Sequence, residues 1–168
     1  MIIDWEFAWE ILPQLLQGLT VTIRASVLAF AVAAVLGLLL ALGRRSDSAW
    51  LSQPIGALIE FVRSTPLLVQ LFFFFYVLPR YGLRVPTIVI GVFALGLHYA
   101  TYTSEVYRAG IDAIASGQWE AAQALNFSPL DTWTRIILPQ AIPPMVPALA
   151  NYLIGIFKET ALLSSITV

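Results

Sequence analysis

GQWEAAQALNFSPLDTWTRIILP, residues 117–139, is a mixed polar stretch between long apolar runs, and its reading decides the fold. Gln118 to Leu125 carries Trp119, Ala122 and Leu125 at helical spacing. Asn126 follows where a helix-ending residue of positive φ is expected, a conformation that Asn tolerates better than most residues. Ser128 then offers an N-cap oxygen, Pro129 suits the first helical position, and Asp131 in the first turn favours the helix dipole. The spacing predicts two short helices joined by a bend at Asn126, the second stopped by Pro139. Helices this short are marginal alone, so a partner is expected to pack on Ala121, Ala122 and Leu125.

Outward from this stretch the chain is apolar. Of its 168 residues 59% are hydrophobic and 11% charged, and the mean hydropathy is +0.82, a composition foreign to soluble domains. Ala25 to Gly43, Val85 to Ser104 and Ile136 to Phe157 contain no Asp, Glu, Lys or Arg. Each is long enough to cross a hydrocarbon core of roughly 30 Å as a helix. The runs lack period-two alternation, which argues against a β-barrel. An all-α integral membrane protein of about four spans follows, as a single domain over residues 1–168. The spans are expected at about Leu19 to Leu42, Ile55 to Leu78 and Thr87 to Tyr107. A fourth is introduced by Pro143, Pro144 and Pro147 and reaches Lys158 or beyond.

Before the first span, Ile2 to Gln17 carries Trp5, Phe7 and Trp9 among acidic residues and reads as a short amphipathic segment at the lipid surface. Its acidic flank and the lack of a prompt small-residue cleavage site do not fit a signal peptide, so Met1 reads as the mature start. In the first span, the branched and aromatic residues from Val27 onward contribute roughly −3 to −6 kcal/mol to insertion, which offsets Arg24 near an interface. The chain has no cysteine, which excludes disulfides, thiolate metal sites and cysteine nucleophiles. No basic stripe points to nucleic acid. An excess of Arg near span ends orients the chain: Arg44, Arg45, Arg63, Arg108 and Arg135 fall inside if the N-terminus is outside, against Arg80 and Arg84 outside.

Ionisable residues at membrane depth usually face a bundle interior or an aqueous cavity. Lys158 and Glu159 at the end of the fourth span, with Thr160 beside them, could meet the two charges of a zwitterion, or else reach an interface. Adjacent residues point about 100° apart on a helix, so the two need not pair with each other. His98 reads as a satisfied histidine bonded to a neighbouring helix, and Tyr102 lines a polar path or packs. Glu105 and Arg108, and likewise Glu60 and Arg63, stand at the i, i+3 spacing of an intrahelical ion pair. Thr65-Pro66 is expected to kink the second span or to unwind it, freeing carbonyls toward a substrate. Phe72 to Phe75 reads as lipid-facing and inter-helix packing.

Glu120-Ala121-Ala122, three residues, Asn126, nine residues, Ile136, then Leu138-Pro139 resembles the EAA loop of ABC importer membrane subunits, with Asn126 standing where the pattern has Gly. Both residues accept positive φ, so the bend survives the departure. Phe61 to Gln70, FVRSTPLLVQ, resembles the RGTPLLVQ segment of the polar amino-acid permeases, with Ser64 in place of Gly; Ser104 to Ile111 resembles their AEIYRGGI, and Lys158-Glu159-Thr160 their KDT. Gly96 to Tyr102, and Asn151 to Ser164, look most like ectoine and hydroxyectoine permeases.

The resemblance implies the type I ABC importer transmembrane-domain fold, with a cytoplasmic coupling loop at about residues 109–143 and Gly117, Trp119, Glu120, Ala121, Ala122, Leu125 and Asn126 facing the ATPase. It implies a substrate site drawn from Lys158, Glu159, Thr160, Thr65 and Tyr102. It implies partners: a cytoplasmic ATPase dimer that binds the ATP, so that this chain needs no cofactor of its own, a second permease subunit, different or identical, and an extracytoplasmic solute-binding protein. The bacterial cytoplasmic membrane is the implied location, with the N-terminus outside. Such permeases continue into another span after the segment matching Ser164 to Val168, so a missing C-terminal span is expected. The implied function is ATP-driven import of a polar amino acid or a zwitterionic compatible solute, ectoine foremost, by a subunit that does no chemistry. The alternative is an ion-gradient-driven secondary transporter, against which stand the absence of an inverted-repeat pair and of a mid-span acidic chain.

Overall fold

Trp5–Arg44 form one unbroken helix, α1, of 40 residues, about 60 Å long at the usual rise. The computed structural model describes residues 5–167, so Met1 to Asp4 of the predicted surface segment lie outside the described residues. From Trp5 onward that segment is not a separate surface helix. It is the first third of α1, because neither Pro13 within the helix nor Gly18, whose side-chain position is open, is accompanied by a turn-forming cluster. Arg24 and Arg44 bracket a stretch of about 30 Å, the thickness of a hydrocarbon core.

Helix α2 (Ala49–Ser64) and helix α3 (Leu67–Val77) stand where one span was expected. They meet at 99° across Thr65-Pro66 and continue into a 3-10 turn at Leu78–Tyr81. The span expected from Ile55 to Leu78 is thus broken at Thr65-Pro66, where a kink or unwinding was expected. Pro66 has no N–H and forces its predecessor into extended backbone, and Thr65 is found at φ −94, ψ 125. Helix α4 (Thr87–Asp112) follows, then α5 (Ser116–Ala124), the single turn α6 (Pro129–Asp131), a π-helical stretch at Thr132–Ile137, α7 (Leu138–Glu159) and a 3-10 stretch at Thr160–Ile166. Among the described residues three helical stretches are long and apolar enough to cross a membrane, and a fourth is if the bent pair counts as one.

The most extensive contact in the fold is between α1 and α4. On α1 a stripe of small residues at every fourth position, Ala25, Ala29, Ala33, Gly37 and Ala41, is buried. Without a hydrophobic driving force between helices in lipid, such stripes serve by letting backbones approach closely. A side chain on Gly96 of α4 would lie 3.1 Å from the Ala29 carbonyl and closer still to Val32. Likewise a side chain on Gly37 would collide with Thr103 and the Ala100 carbonyl. Thr103 completes the seam by donating its hydroxyl to the Ala33 carbonyl across the helices, at 2.8 Å. Around this seam Leu67 and Leu71 of α3, Leu95 and Tyr99 of α4, Ile156 of α7, and Leu163 and Ile166 close the core.

At one end of the bundle Arg45, just past α1, pairs with Asp112 at the end of α4. Arg108 bridges Asp112 at 3.1 Å and Glu105 at 2.7 Å, so the expected Glu105–Arg108 pair forms as part of a network. The phenylalanine block behaves as expected: Phe72, Phe74 and Phe75 pack on the core while Phe73 is exposed.

Gly37→Val is expected to lower the thermal midpoint of the detergent-solubilised protein, followed by circular dichroism, by an overpacking cost of about 1–3 kcal/mol. Gly18→Val, at an open position, should leave it within error.

Candidate functional site

The EAA stretch is built on its own small core. Helix α5 ends as the sequence predicts, with Asn126 at φ 55. The Asn126 N–H reaches the Gln123 carbonyl at 2.9 Å and the Phe127 N–H reaches the Ala122 carbonyl at 3.0 Å, the paired bonds of a Schellman cap. Ser128 then caps the next helix, its Oγ accepting from the Asp131 N–H at 3.1 Å, and Asp131 also pairs with Arg135 at 2.9 Å.

Two expectations for this stretch are overturned. Pro139 does not stop the second helix, which runs on from Pro129 through α7. The π-helical stretch widens the turn just before Pro139, with the Leu138 N–H bonding back five residues to the Trp133 carbonyl. The Arg135 carbonyl thus escapes the clash that a proline makes in a regular helix. Gln140 Nε2 covers the Ile136 carbonyl at 2.7 Å and also reaches Gln118 Oε1 on α5 at 3.2 Å.

The second correction concerns which face is free. Ala122 is fully buried, and Trp119 is half-buried with its ring edge-on to Trp133 at 5.3 Å, the two tryptophans packed on Ile111, Ala141 and Met145. Ala122 is not open to a partner, and Trp119 is only in part. Trp119 and Ala122 form the stripe that docks α5 onto the π-helical stretch and α7. The free face carries Glu120, Ala121, Ala124 and Leu125, positions i, i+1, i+4 and i+5 that lie together on a helix. Leu125 is 70% exposed, and Leu130 beyond the bend is 73% exposed. Gly117 is exposed, with nothing near its side-chain position.

A second constellation lies at the break between α2 and α3. Gln70 is buried, and its Nε2 sits 2.8 Å from both the Val62 and the Thr65 carbonyls and 3.0 Å from His98 Nδ1 on α4. The amide nitrogen has two hydrogens for these three neighbours, and the Val62 carbonyl also accepts from the Thr65 N–H at 3.3 Å. The carbonyls at the break therefore face Gln70 and not a substrate, and His98 Nδ1 stands against the same amide nitrogen, competing with them for its two hydrogens. Thr65 donates its own hydroxyl back to the Phe61 carbonyl at 2.8 Å. In the sequence Gln70 closes the RSTPLLVQ motif with no evident role of its own. The signal was its position four residues after Pro66.

The third constellation is aromatic. His98, Tyr99 and Tyr102 of α4 and Tyr152 of α7 stack with ring centroids between 5.3 and 6.0 Å apart. The Arg63 guanidinium lies over Tyr102, 5.0 Å from its centroid. Arg63 thus takes a ring where an ion pair with Glu60 was expected. On the other side of the cluster, Tyr99 fits into the notch at Gly155 and its hydroxyl interacts with the Glu159 carboxylate. Glu159 Oε2 is buried without a hydrogen-bond partner. Lys158 is exposed and makes no ion pair with Glu159, while Thr160 is buried with its hydroxyl on the Phe157 carbonyl at 2.7 Å. Of the five predicted substrate residues, the structure links Tyr102 and Glu159 through Tyr99. Thr65 lies apart, against an apolar cleft with Phe61, Phe73 and Phe74.

Comparison with known proteins agrees with this architecture. The family model for binding-protein-dependent transport system inner membrane components matches residues 33–168. A probable amino-acid ABC transporter permease protein of Sinorhizobium fredii is 51% identical over 162 residues, 96% of this chain and 70% of that protein. The L-cystine transport system permease protein of Bacillus subtilis is 35% identical over 167 residues, 99% of this chain and 71% of that protein. Among solved structures, a crystal structure of an amino acid ABC transporter with histidines superposes with a TM-score of 0.89 at 34% identity, covering 100% of this chain and 78% of that one. The inward-facing MetNI methionine ABC transporter, 20% identical with a TM-score of 0.70, shares the fold, over 94% of this chain and 76% of that one. An all-helical bundle whose polar α5 hairpin stands on its own small core is the architecture of a type I ABC importer permease, and the chain belongs to the binding-protein-dependent transport system inner membrane component family, whose members carry transport and leave ATP hydrolysis to a separate subunit.

Proposed function

We propose that this chain is the permease subunit through which an ATP-driven importer moves a polar amino acid, or a solute with the same separated charges, across the bacterial cytoplasmic membrane. The observation that carries the reading is the free face of α5, with Glu120, Ala121, Ala124 and Leu125 outward and Trp119 and Ala122 locked inward. A short helix with small residues and one exposed leucine, held rigidly from behind, suits insertion into a groove of another protein. A cytoplasmic ATPase dimer is that partner. Glu120 would orient the helix through a basic residue of the ATPase.

The charge distribution supports an N-terminus outside and α5 in the cytoplasm. Arg44, Arg45 and Arg108 gather at the α5 end of the bundle, against Arg80 and Arg84 in the opposite connection. A second permease subunit, homologous or identical, and an extracytoplasmic solute-binding protein complete the importer. At the substrate, Glu159 with its unpartnered oxygen and Tyr99 would receive an ammonium, and Lys158 a carboxylate. The aromatic faces of Tyr102 and Tyr152 would suit a delocalised cation. Relatives named for amino acids and cystine favour α-amino acids. Ectoine and hydroxyectoine meet the same requirement, one carboxylate and one delocalised cation, and share the resemblance of Gly96 to Tyr102.

Uptake into vesicles carrying the reconstituted importer separates these solutes. Histidine, glutamine, cystine and ectoine are each supplied with the neighbouring binding protein, and import of at least one should require ATP inside. Uptake that persists without ATP and collapses with the ion gradient would overturn the reading. Leu125→Glu should abolish co-purification of the ATPase, about a tenfold loss or more, while the permease still inserts. Ala122→Glu, at a buried position, should also destabilise the loop itself, seen as faster proteolysis between residues 112 and 128. Glu159→Gln should cut uptake about tenfold with assembly unchanged; unaltered uptake would remove it from the path.

A further inference from the structure

A cavity of about 610 Å³ lies between the end of α1, α2 and α4, lined by Arg44, Gln53, Glu60, Arg63, Tyr102 and Glu105. It opens at the end of the bundle that carries α5, since Arg44 is the last residue of α1 and the neighbouring Arg45 pairs with Asp112. Its inner wall is Tyr102, about 15 Å along α4 from Asp112. Beyond Tyr102 the rings lead to Tyr99 and Glu159.

Of the charges lining this cavity, Glu105 is taken up by Arg108, and three others are in no ion pair. Among the described residues the ion pairs are Arg45 with Asp112, Arg108 with Glu105 and Asp112, and Arg135 with Asp131, and Arg44, Glu60 and Arg63 are in none of them. Arg63 is held over the Tyr102 ring, a contact that orients the guanidinium without neutralising it. Glu60 is one turn away on the same helix, so its carboxylate and the guanidinium stand side by side without joining. Arg44 lies across α2 at Gly56, where any side chain would come within 2.9 Å of its Nε. Two cations and an unpaired carboxylate in one polar cavity fit a small zwitterion, its carboxylate on Arg63 and Arg44 and its ammonium on Glu60. Charge-assisted bonds of this kind are about twice as strong as neutral ones.

We propose that this cavity is a second station for the zwitterionic solute, occupied after it leaves the Glu159 region and before it escapes past α5. The inference rests on the importer reading and adds a site between that region and the inner face. It makes release a two-step process, in which Arg63 draws the carboxylate across the Tyr102 ring.

The test uses the complete importer, nucleotide-free, in phosphatidylcholine nanodiscs. Equilibrium binding of radiolabelled histidine, glutamine, cystine and ectoine is measured in turn, beside uptake in vesicles. For the solute that is taken up, two binding components are expected. Glu60→Gln and Arg63→Gln should each weaken one of them about tenfold, and Glu159→Gln the other. The amide of that solute, lacking the carboxylate charge, should lose the Arg63-dependent component. Should either variant assemble poorly, Ala57→Phe, which fills the cavity mouth from the exposed side of α2, must remove the same component. A single component indifferent to Glu60, Arg63 and Ala57 would overturn the station while leaving the importer intact. A component that disappears when phosphatidylethanolamine replaces phosphatidylcholine would also overturn it, assigning the cavity to a lipid headgroup. Failure of ATP-dependent uptake for every solute is a separate result and would remove the reading on which the station rests.

Discussion

Lipid offers no hydrogen bonds, so a helix broken inside a membrane must find donors for its released carbonyls within the protein. This chain meets that constraint at Pro66, and a glutamine just beyond a proline recurs outside the span at Pro139. Pro66 removes the donor that would have reached Val62 four residues back, and Gln70 supplies its side-chain amide to Val62 and Thr65 instead. Around Pro139 the helix changes register, and Gln140 covers the Ile136 carbonyl while the Leu138 N–H moves to Trp133. With the carbonyls satisfied, the first break can hold a 99° turn and the second need not turn at all. The architecture depends on this difference. A sharp corner brings α3 and the Phe72 to Phe75 block onto the core, whereas an uninterrupted path from Pro129 through α7 joins the α5 hairpin to the membrane as one body.

The α1–α4 seam supplies the rigidity against which these irregular elements are set. Alanines and glycines at every fourth position leave backbone against backbone, and the Thr103 hydroxyl bonds across the gap to Ala33. Packing this close is intolerant of added volume, because neither wall is a flexible side-chain end. The ion network of Arg45, Asp112, Arg108 and Glu105 then pins the end of α1 to the end of α4. These pairs are partly exposed and contribute little to stability individually. Their effect is to hold the α4 terminus, from which α5 departs four residues later, in a fixed relation to α1.

Local chemistry was legible in the sequence where the deciding residues are neighbours. The positive φ of Asn126, the cap at Ser128 and the Glu105–Arg108 pair are all settled within one turn, and each stands as its spacing indicates. The apolar runs carried the helical class on composition alone, but not the depth of the break between α2 and α3. What could not be read was direction. Trp119, Ala122 and Leu125 share a periodicity that fits a partner's groove and the chain's own core equally well. Only the position of Trp133, fourteen residues on from Trp119, decides that the Trp119 side of α5 faces the chain's own core. Glu60 and Arg63 have the spacing of a pair, but a ring delivered by α4 takes the guanidinium. Pro66 and Pro139 look alike as helix breakers, and the difference lies in what surrounds each of them in three dimensions.

Helix α7 is where the two halves of the site meet. At one end Gln140 touches Gln118 of α5, and Ala141 and Met145 seat the Trp119–Trp133 pair. About 27 Å farther along the same helix stand Lys158 and Glu159. A displacement of the α5 hairpin therefore reaches the polar end of the span through a single element, with no loop between to absorb it. Pro143, Pro144 and Pro147 lie between, all on exposed positions. They withdraw three donors from the α7 ladder, so the helix can flex there without breaking bonds that a regular helix would have made. On the coupling proposed through α5, that middle would set how far a push is converted into tilt at Glu159. Tyr99 and Gly155 set its limit, because the ring already fills the notch and α7 can move only away from it.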